Sequence, residues 1–143
     1  KRNLWFGGWE IMGFYYGFPS CCIHEFTSRG LQEILEDMRS GAVRKLNGTG
    51  YRPCVQCNTT YTEEELAARI NAKRRTKHPF GSAIRWKDSE RASRLGVKIL
   101  NAPEKYPDVP QFILDKLHDD LQEYYQKRHE MKVEREKRNA NKK

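Results

Sequence analysis

The sequence has no long apolar run; nowhere does it approach the ~18–20 residues that a membrane-spanning helix needs, so no membrane partner is expected. It has no Walker loop, no glycine-rich dinucleotide loop, no His-Glu-x-x-His and no nucleophile elbow. What remains open to catalysis is a spatial pairing of Cys22 with His24, His78, His118 or His129, which the spacing does not require. No charged-then-apolar leader is visible, and the chain opens on Lys1 rather than Met, which leaves room for residues upstream. At 143 residues it holds one domain, or a small domain with an appendage, and is too short for a barrel enzyme. The expectation is a soluble, cytoplasmic protein.

Acidic residues are scarce where basic ones gather. The formal charge is +8, from 27 basic and 19 acidic residues. Residues 69–98 alone net +8, residues 127–143 net +5, and the remaining 96 net −5. The basicity is therefore confined to two patches. A patch of this kind can make several phosphate contacts at once and release condensed counterions, which points to nucleic acid or another polyanion. A merely solvated surface is the plainer reading of the same residues. The side chains that would bind are Lys73, Arg74, Arg75 and Lys77, then Arg85 and Lys87, then Arg91 and Arg94.

Cysteine is limited to Cys21-Cys22 and Cys54-x-x-Cys57. Without a secretion signal, disulfides are not the first expectation. Cys54-Val55-Gln56-Cys57 after Arg52-Pro53 has the form of a metal knuckle, a tight turn that aims two sulfurs at one ion. A thioredoxin-like pair would want a preceding strand, and Asn47-Gly48-Thr49-Gly50 stands there instead. Adjacent cysteines diverge on either a helix or a strand. The tetrahedron would thus be completed by Cys21 and Cys22 together, or by one of them with His24 at Cys21-x-x-His24 spacing. One structural Zn2+ fits this ligand set; an iron–sulfur cluster, a redox or catalytic cysteine, or plain buried thiols are the alternatives. Pro19-Ser20 reads as a helix start, with Ser20 as cap, Ile23, Phe26, Leu31, Ile34, Leu35 and Met38 on the apolar face, and a stop at Ser40-Gly41.

Seven of the sixteen aromatics lie in residues 4–18, interrupted by Gly7, Gly8, Gly13 and Gly17. That pattern suggests short strands or an irregular aromatic cluster that supplies core. Thr62-x-x-Glu65 is a capping box that starts a helix over 63–76, broken by His78-Pro79-Phe80-Gly81. A shorter helix from Asp88 should stop at Gly96. Pro103, Pro107 and Pro110 make residues 101–110 an extended connector, and Asp108-x-x-Gln111 caps a long helix over 109–138. Leu114, Leu117, Leu121 and Tyr124 form its partner face, for the domain or for a second copy in a homodimer, before a basic tail.

Phe14-Tyr15-Tyr16-Gly17-Phe18-Pro19-Ser20-Cys21-Cys22, with Pro53-Cys54-Val55-Gln56-Cys57 downstream, resembles small proteins of tailed bacteriophages that carry an aromatic-Gly-aromatic-Pro-x-Cys-Cys segment and a later Pro-Cys-x-x-Cys. The resemblance covers residues 14–57. It implies a viral origin, the host cytoplasm as the setting, and a metal site shared by Cys21, Cys22, Cys54 and Cys57. The composite expectation is an α+β, mostly helical fold. It comprises a zinc-stapled core over 1–100 with an aromatic-rich N-terminal segment, a connector over 101–110 and a C-terminal helix over 109–138. Its expected function is non-catalytic engagement of nucleic acid or a nucleic-acid-containing complex. A phage-encoded inhibitor or adaptor bound to a host protein complex is the competing reading, and a cysteine-dependent enzyme the third.

Overall fold

A computed structural model describes residues 6–82 and 87–142. Every regular element among them is a helix: α1 (Gly8–Tyr16), α2 (Ser20–Ser40), α3 (Val55–Thr60), α4 (Glu63–Lys73), α5 (Asp88–Asn101), a 3-10 turn (Pro103–Lys105) and α6 (Gln111–Asn141). The described residues contain no strand, so the expected α+β class is corrected to all-α.

The correction falls on the aromatic segment. Its glycines delimit a helix instead of preventing one. Gly7 and Gly17 hold left-handed backbone at the two ends of α1, where other residues would be strained. Gly13, inside it, allows close approach of α2; a β-carbon there would sit 2.7 Å from Ile23 Cγ1. α1 packs against α2, α5 and α6 and carries the centre of the core. Ile11, Phe14, Tyr15 and Tyr16 join Ile23, Ala92, Ile99, Val109, Ile113 and Leu117 in one buried cluster.

Several boundaries also move. α2 starts at Ser20 and ends on Gly41, but Pro19 occupies the cap position and no side chain caps it. Its expected apolar face does not all face inward, since Leu31 is 73%, Leu35 46% and Met38 73% exposed. Only the first turns of α2 meet the core. The Thr62–Glu65 capping box is present, with both reciprocal hydrogen bonds. α4 stops at Lys73, not 76, because the Arg75 amide donates to the Tyr15 carbonyl (3.0 Å) and draws the chain off the helix. α5 runs through Gly96 to Asn101; Gly96 is buried against Leu117. The connector folds into a 3-10 turn and buries Val109. Asp108 does not cap α6; Pro110 holds that position, and the Asp108 carboxylate lies 3.6 Å from Arg75.

A second, smaller cluster holds Cys22, Tyr51, Cys54, Cys57, Leu66 and Ile70. Phe18 lines both clusters, so the cysteine region is fused to the main core at the α1–α2 turn.

Candidate metal centre and basic surface

Two local structures bring the cysteines together. The first is the N-terminal turn of α2, which carries Cys21 and Cys22. The second is the start of α3, where Cys54 is the N-cap residue and its sulfur accepts the Cys57 amide (3.4 Å). The sulfurs of Cys21, Cys22, Cys54 and Cys57 all lie within 4.8 Å of one another. Cys21 Sγ is 3.5 Å from Cys57 Sγ and 3.7 Å from Cys54 Sγ. The four cysteines thus form a cluster that could hold a single metal ion, and none of them is in a disulfide.

His24 does not join them. It lies one turn along α2, exposed, with its ring 5.0 Å from that of Phe112. The four-cysteine option of the sequence is therefore the one realised.

Around the sulfurs the structure supplies donors. The Cys54 amide donates to Cys22 Sγ (3.3 Å), and the Tyr51 hydroxyl lies 3.2 Å from the same sulfur. The Arg69 guanidinium, packed over the Tyr61 ring at 4.4 Å, adds positive charge beside Cys57. These contacts offset negative charge on sulfur and orient the ligand side chains. Cys22, Cys54 and Cys57 are buried residues; Cys21 is exposed as a residue, but its sulfur faces Cys57 and Cys54. Loss of water around that sulfur pushes the Cys21 thiol up to about 12, helped by hydrogen bonds to Cys57 and Cys54. Burial raises Cys22 as well, against its bonds with Tyr51 and the Cys54 amide. Cys57 goes the other way: burial would raise it, but the polar groups facing it, Cys21 and Cys54 first and then Cys22 and Arg69, outweigh burial and lower it. Four crowded thiols without a cation cannot all ionise, and a divalent ion at their centre removes that conflict.

Outside the sulfurs, Arg44 locks the knuckle to α2. It donates to the Pro53 carbonyl (2.8 Å) and to Asp37 (3.0 Å), and lies 3.7 Å from Glu25 and 3.8 Å from the buried Glu33. Arg52 adds a 2.6 Å bond to Asp37. Sequence reasoning missed Arg44, Tyr51 and Arg69 as supports of the site. Tyr51 had a signal in its proximity to the knuckle in Tyr51-Arg52-Pro53-Cys54; Arg44 and Arg69 had none.

The basic candidates separate into two groups. Lys73, Lys77, Lys87 and Arg94 are exposed, Arg94 paired with Glu90 at 2.9 Å. Arg91 is half exposed, 3.7 Å from Asp88. Arg75 stacks over Phe14 at 4.4 Å. Arg74 is half-buried and engaged within the chain: its guanidinium donates to the carbonyls of Tyr16 (3.0 Å) and His78 (2.9 Å) and lies over the Tyr16 ring. Arg85 lies outside the described residues.

On the expected partner face of α6, Leu117 is fully buried, Leu114 and Leu121 are half-buried, and Tyr124 is exposed. Of the two expected uses of this face, packing on the chain's own domain is the one seen at Leu117. No described helix is long and apolar enough to cross a membrane. Compared with protein-family models, curated proteins and solved structures, the chain matches none.

Proposed function

We propose that the chain is a small non-catalytic binding module, held together by one structural zinc ion on Cys21, Cys22, Cys54 and Cys57, that engages nucleic acid through its exposed basic side chains. The sulfur geometry carries the zinc assignment. Tetrahedral zinc with bonds of ~2.3 Å places its sulfurs about 3.8 Å apart, and Cys21 stands 3.5 and 3.7 Å from two of its neighbours. An all-sulfur set is closed, with no position left for a reacting water, which suits a structural ion. Zinc there would join α2 to α3 across roughly thirty residues and make metal affinity part of folding free energy. Metal analysis of purified protein should give one zinc per chain, and chelation should lower the unfolding temperature. Metal-free protein of unchanged stability would remove the zinc.

For nucleic acid, the supporting feature is the basic surplus of residues 69–98 and 127–143, which net +8 and +5, with Lys73, Lys77, Lys87 and Arg94 exposed. Binding of a labelled duplex or single strand should weaken steeply between about 50 and 200 mM salt. Lys73→Glu with Lys77→Glu should weaken it further. Failure to bind either at low salt removes this reading.

One observation favours a protein partner as the second reading, namely the exposed row Leu31, Leu35 and Met38 on α2. Such a complex should survive nuclease and salt and be lost on Leu35→Asp.

A further inference from the structure

Beyond Leu121, α6 leaves the core: from Gln122 to Lys142 every residue except Val133 is exposed. A helix with no face to bury is marginal in water, so its sequence must serve something other than the core. Its charges are sorted by face. At about 100° per residue, Lys127, Arg128, Lys132, Arg135, Arg138 and Lys142 fall in one arc of about 140°. That arc contains no carboxylate. Glu123, Glu130, Glu134 and Glu136 all lie on the remaining surface, with Lys137. Lys127 and Arg138, at the edge of the arc, pair with Glu123 (3.4 Å) and Glu134 (3.7 Å). Arg128, Lys132, Arg135 and Lys142 make no ion pair among the described residues, and Arg128 lies over the Tyr124 ring at 5.7 Å.

We propose that this outer half of α6 lays its basic stripe along double-stranded DNA. The inference rests on the nucleic-acid reading above and names the element and the form of nucleic acid. From Arg128 to Lys142 the helix spans about 21 Å, over which B-form DNA carries about twelve phosphates. A helix about 10–12 Å across fits a major groove of about 12 Å, whereas the A-form groove of duplex RNA is too narrow. Single strands are gripped by stacking aromatics, and the only aromatic in the arc, Tyr124, already carries Arg128. A membrane surface would require a broad apolar face, and the arc offers only Tyr124 and Met131.

The test uses the full chain with its metal and a labelled DNA duplex, the matching single strand and the matching RNA duplex. The stripe variant is Arg128→Gln, Lys132→Gln and Arg135→Gln. Its control, with equal charge loss elsewhere, is Arg39→Gln, Lys105→Gln and Lys137→Gln. Wild type should prefer the DNA duplex. The stripe variant should lose at least tenfold in affinity and about 3 from the slope of log affinity against log salt. The control should stay near wild type, and circular dichroism should show both variants as helical as the parent. Equal losses in the two variants, or tighter binding of the single strand or the RNA, would overturn the stripe assignment while leaving nucleic-acid binding intact. Absence of any binding by wild type at about 50 mM salt would overturn both.

Discussion

Gly17 and Ile70 meet backbone to backbone. A β-carbon on Gly17 would collide with the Ile70 carbonyl oxygen and come within 2.8 Å of the Arg74 amide nitrogen. This contact sets the distance between the α1–α2 turn and α4, and so where Cys21 and Cys22 begin. Gly17 also has φ +89, which costs an L-residue roughly 1–2 kcal/mol by itself. Gly48 shares the positive φ (+88) but faces open space. Gly48→Ala should therefore report the backbone cost alone. Gly17→Ala should lose about 3 kcal/mol or more, since backbone cannot be moved aside cheaply. Urea denaturation of the two variants checks the difference; equal losses would mean that α4 yields.

Cys21 and Cys22 are neighbours with different surroundings, and their serine variants should differ once metal is withdrawn. Cys22 Sγ is buried, accepts the Cys54 amide and touches Tyr51. Cys21 is exposed. With metal bound, either substitution removes a ligand and should lower stability. In excess chelator, Cys21→Ser should be near neutral, whereas Cys22→Ser should still cost about 1 kcal/mol or more through the disturbed buried contacts. Thermal denaturation with and without chelator measures both. Identical behaviour in the two conditions would show that no metal was contributing.

Arg44 faces three carboxylates and the carbonyl that precedes Cys54. Arg44→Ala leaves the buried Glu33 with the more exposed Arg29 (3.6 Å) as its remaining ion-pair partner and should cost about 3 kcal/mol. The two acids then predict opposite responses to acid. The hydrogen bond from Arg52 leads in holding Asp37 below the usual carboxylate range, with Arg44 acting in the same direction. The unfolded chain takes that proton first, so the contribution of Asp37 is complete above the ordinary carboxylate value and is lost as pH falls through its lower folded one. Burial, then Glu25, raises Glu33. The folded form takes that proton first, so acidification through this range adds stability. Asp37→Asn should destabilise at pH 7 and flatten the loss in acid; Glu33→Gln should cost less at pH 7 than Asp37→Asn and should remove the gain on acidification. Denaturation at several pH values separates the two.

Where local chemistry decided the structure, the sequence was readable. The Thr62–Glu65 box, the Gly41 stop of α2 and the Cys54-x-x-Cys57 knuckle each depend on residues within one turn of chain. Where a distant partner decided, it was not. Gly13 and Gly96 resemble helix breakers until Ile23 and Leu117 are seen to occupy the space left by their missing β-carbons. Arg74 belongs to a run of cations, yet the Tyr16 carbonyl, 58 positions away, draws it inward. The apolar spacing of α2 promised a buried face, but the core ends before the helix does, so Leu31 and Met38 stay in solvent. Spacing alone left His24 and the cysteine pair as competing ligands. The direction of the α2 N-terminal turn separates them, since it points both Cys21 and Cys22 at α3 and turns His24 toward Phe112.

Gly96 and Leu117 should show energetic coupling. A β-carbon on Gly96 would lie 2.8 Å from Leu117 Cδ2 and 3.3 Å from the Phe6 ring. In the interior of α5, Gly→Ala should gain about 1 kcal/mol of helix propensity. In this chain the clash cancels or reverses that gain. Leu117 is fully buried, and Leu117→Ala should cost about 2–5 kcal/mol, the spread reflecting how far the cavity closes. Leu117→Ala also removes the Cδ2 atom that opposes the new methyl, so Gly96→Ala in that background should restore helix propensity and fill part of the void. The double variant should thus be more stable than the sum of the two single losses, by about 1 kcal/mol or more. A double-mutant cycle in urea measures this directly, and strict additivity would show that α5 and α6 adjust independently at this contact.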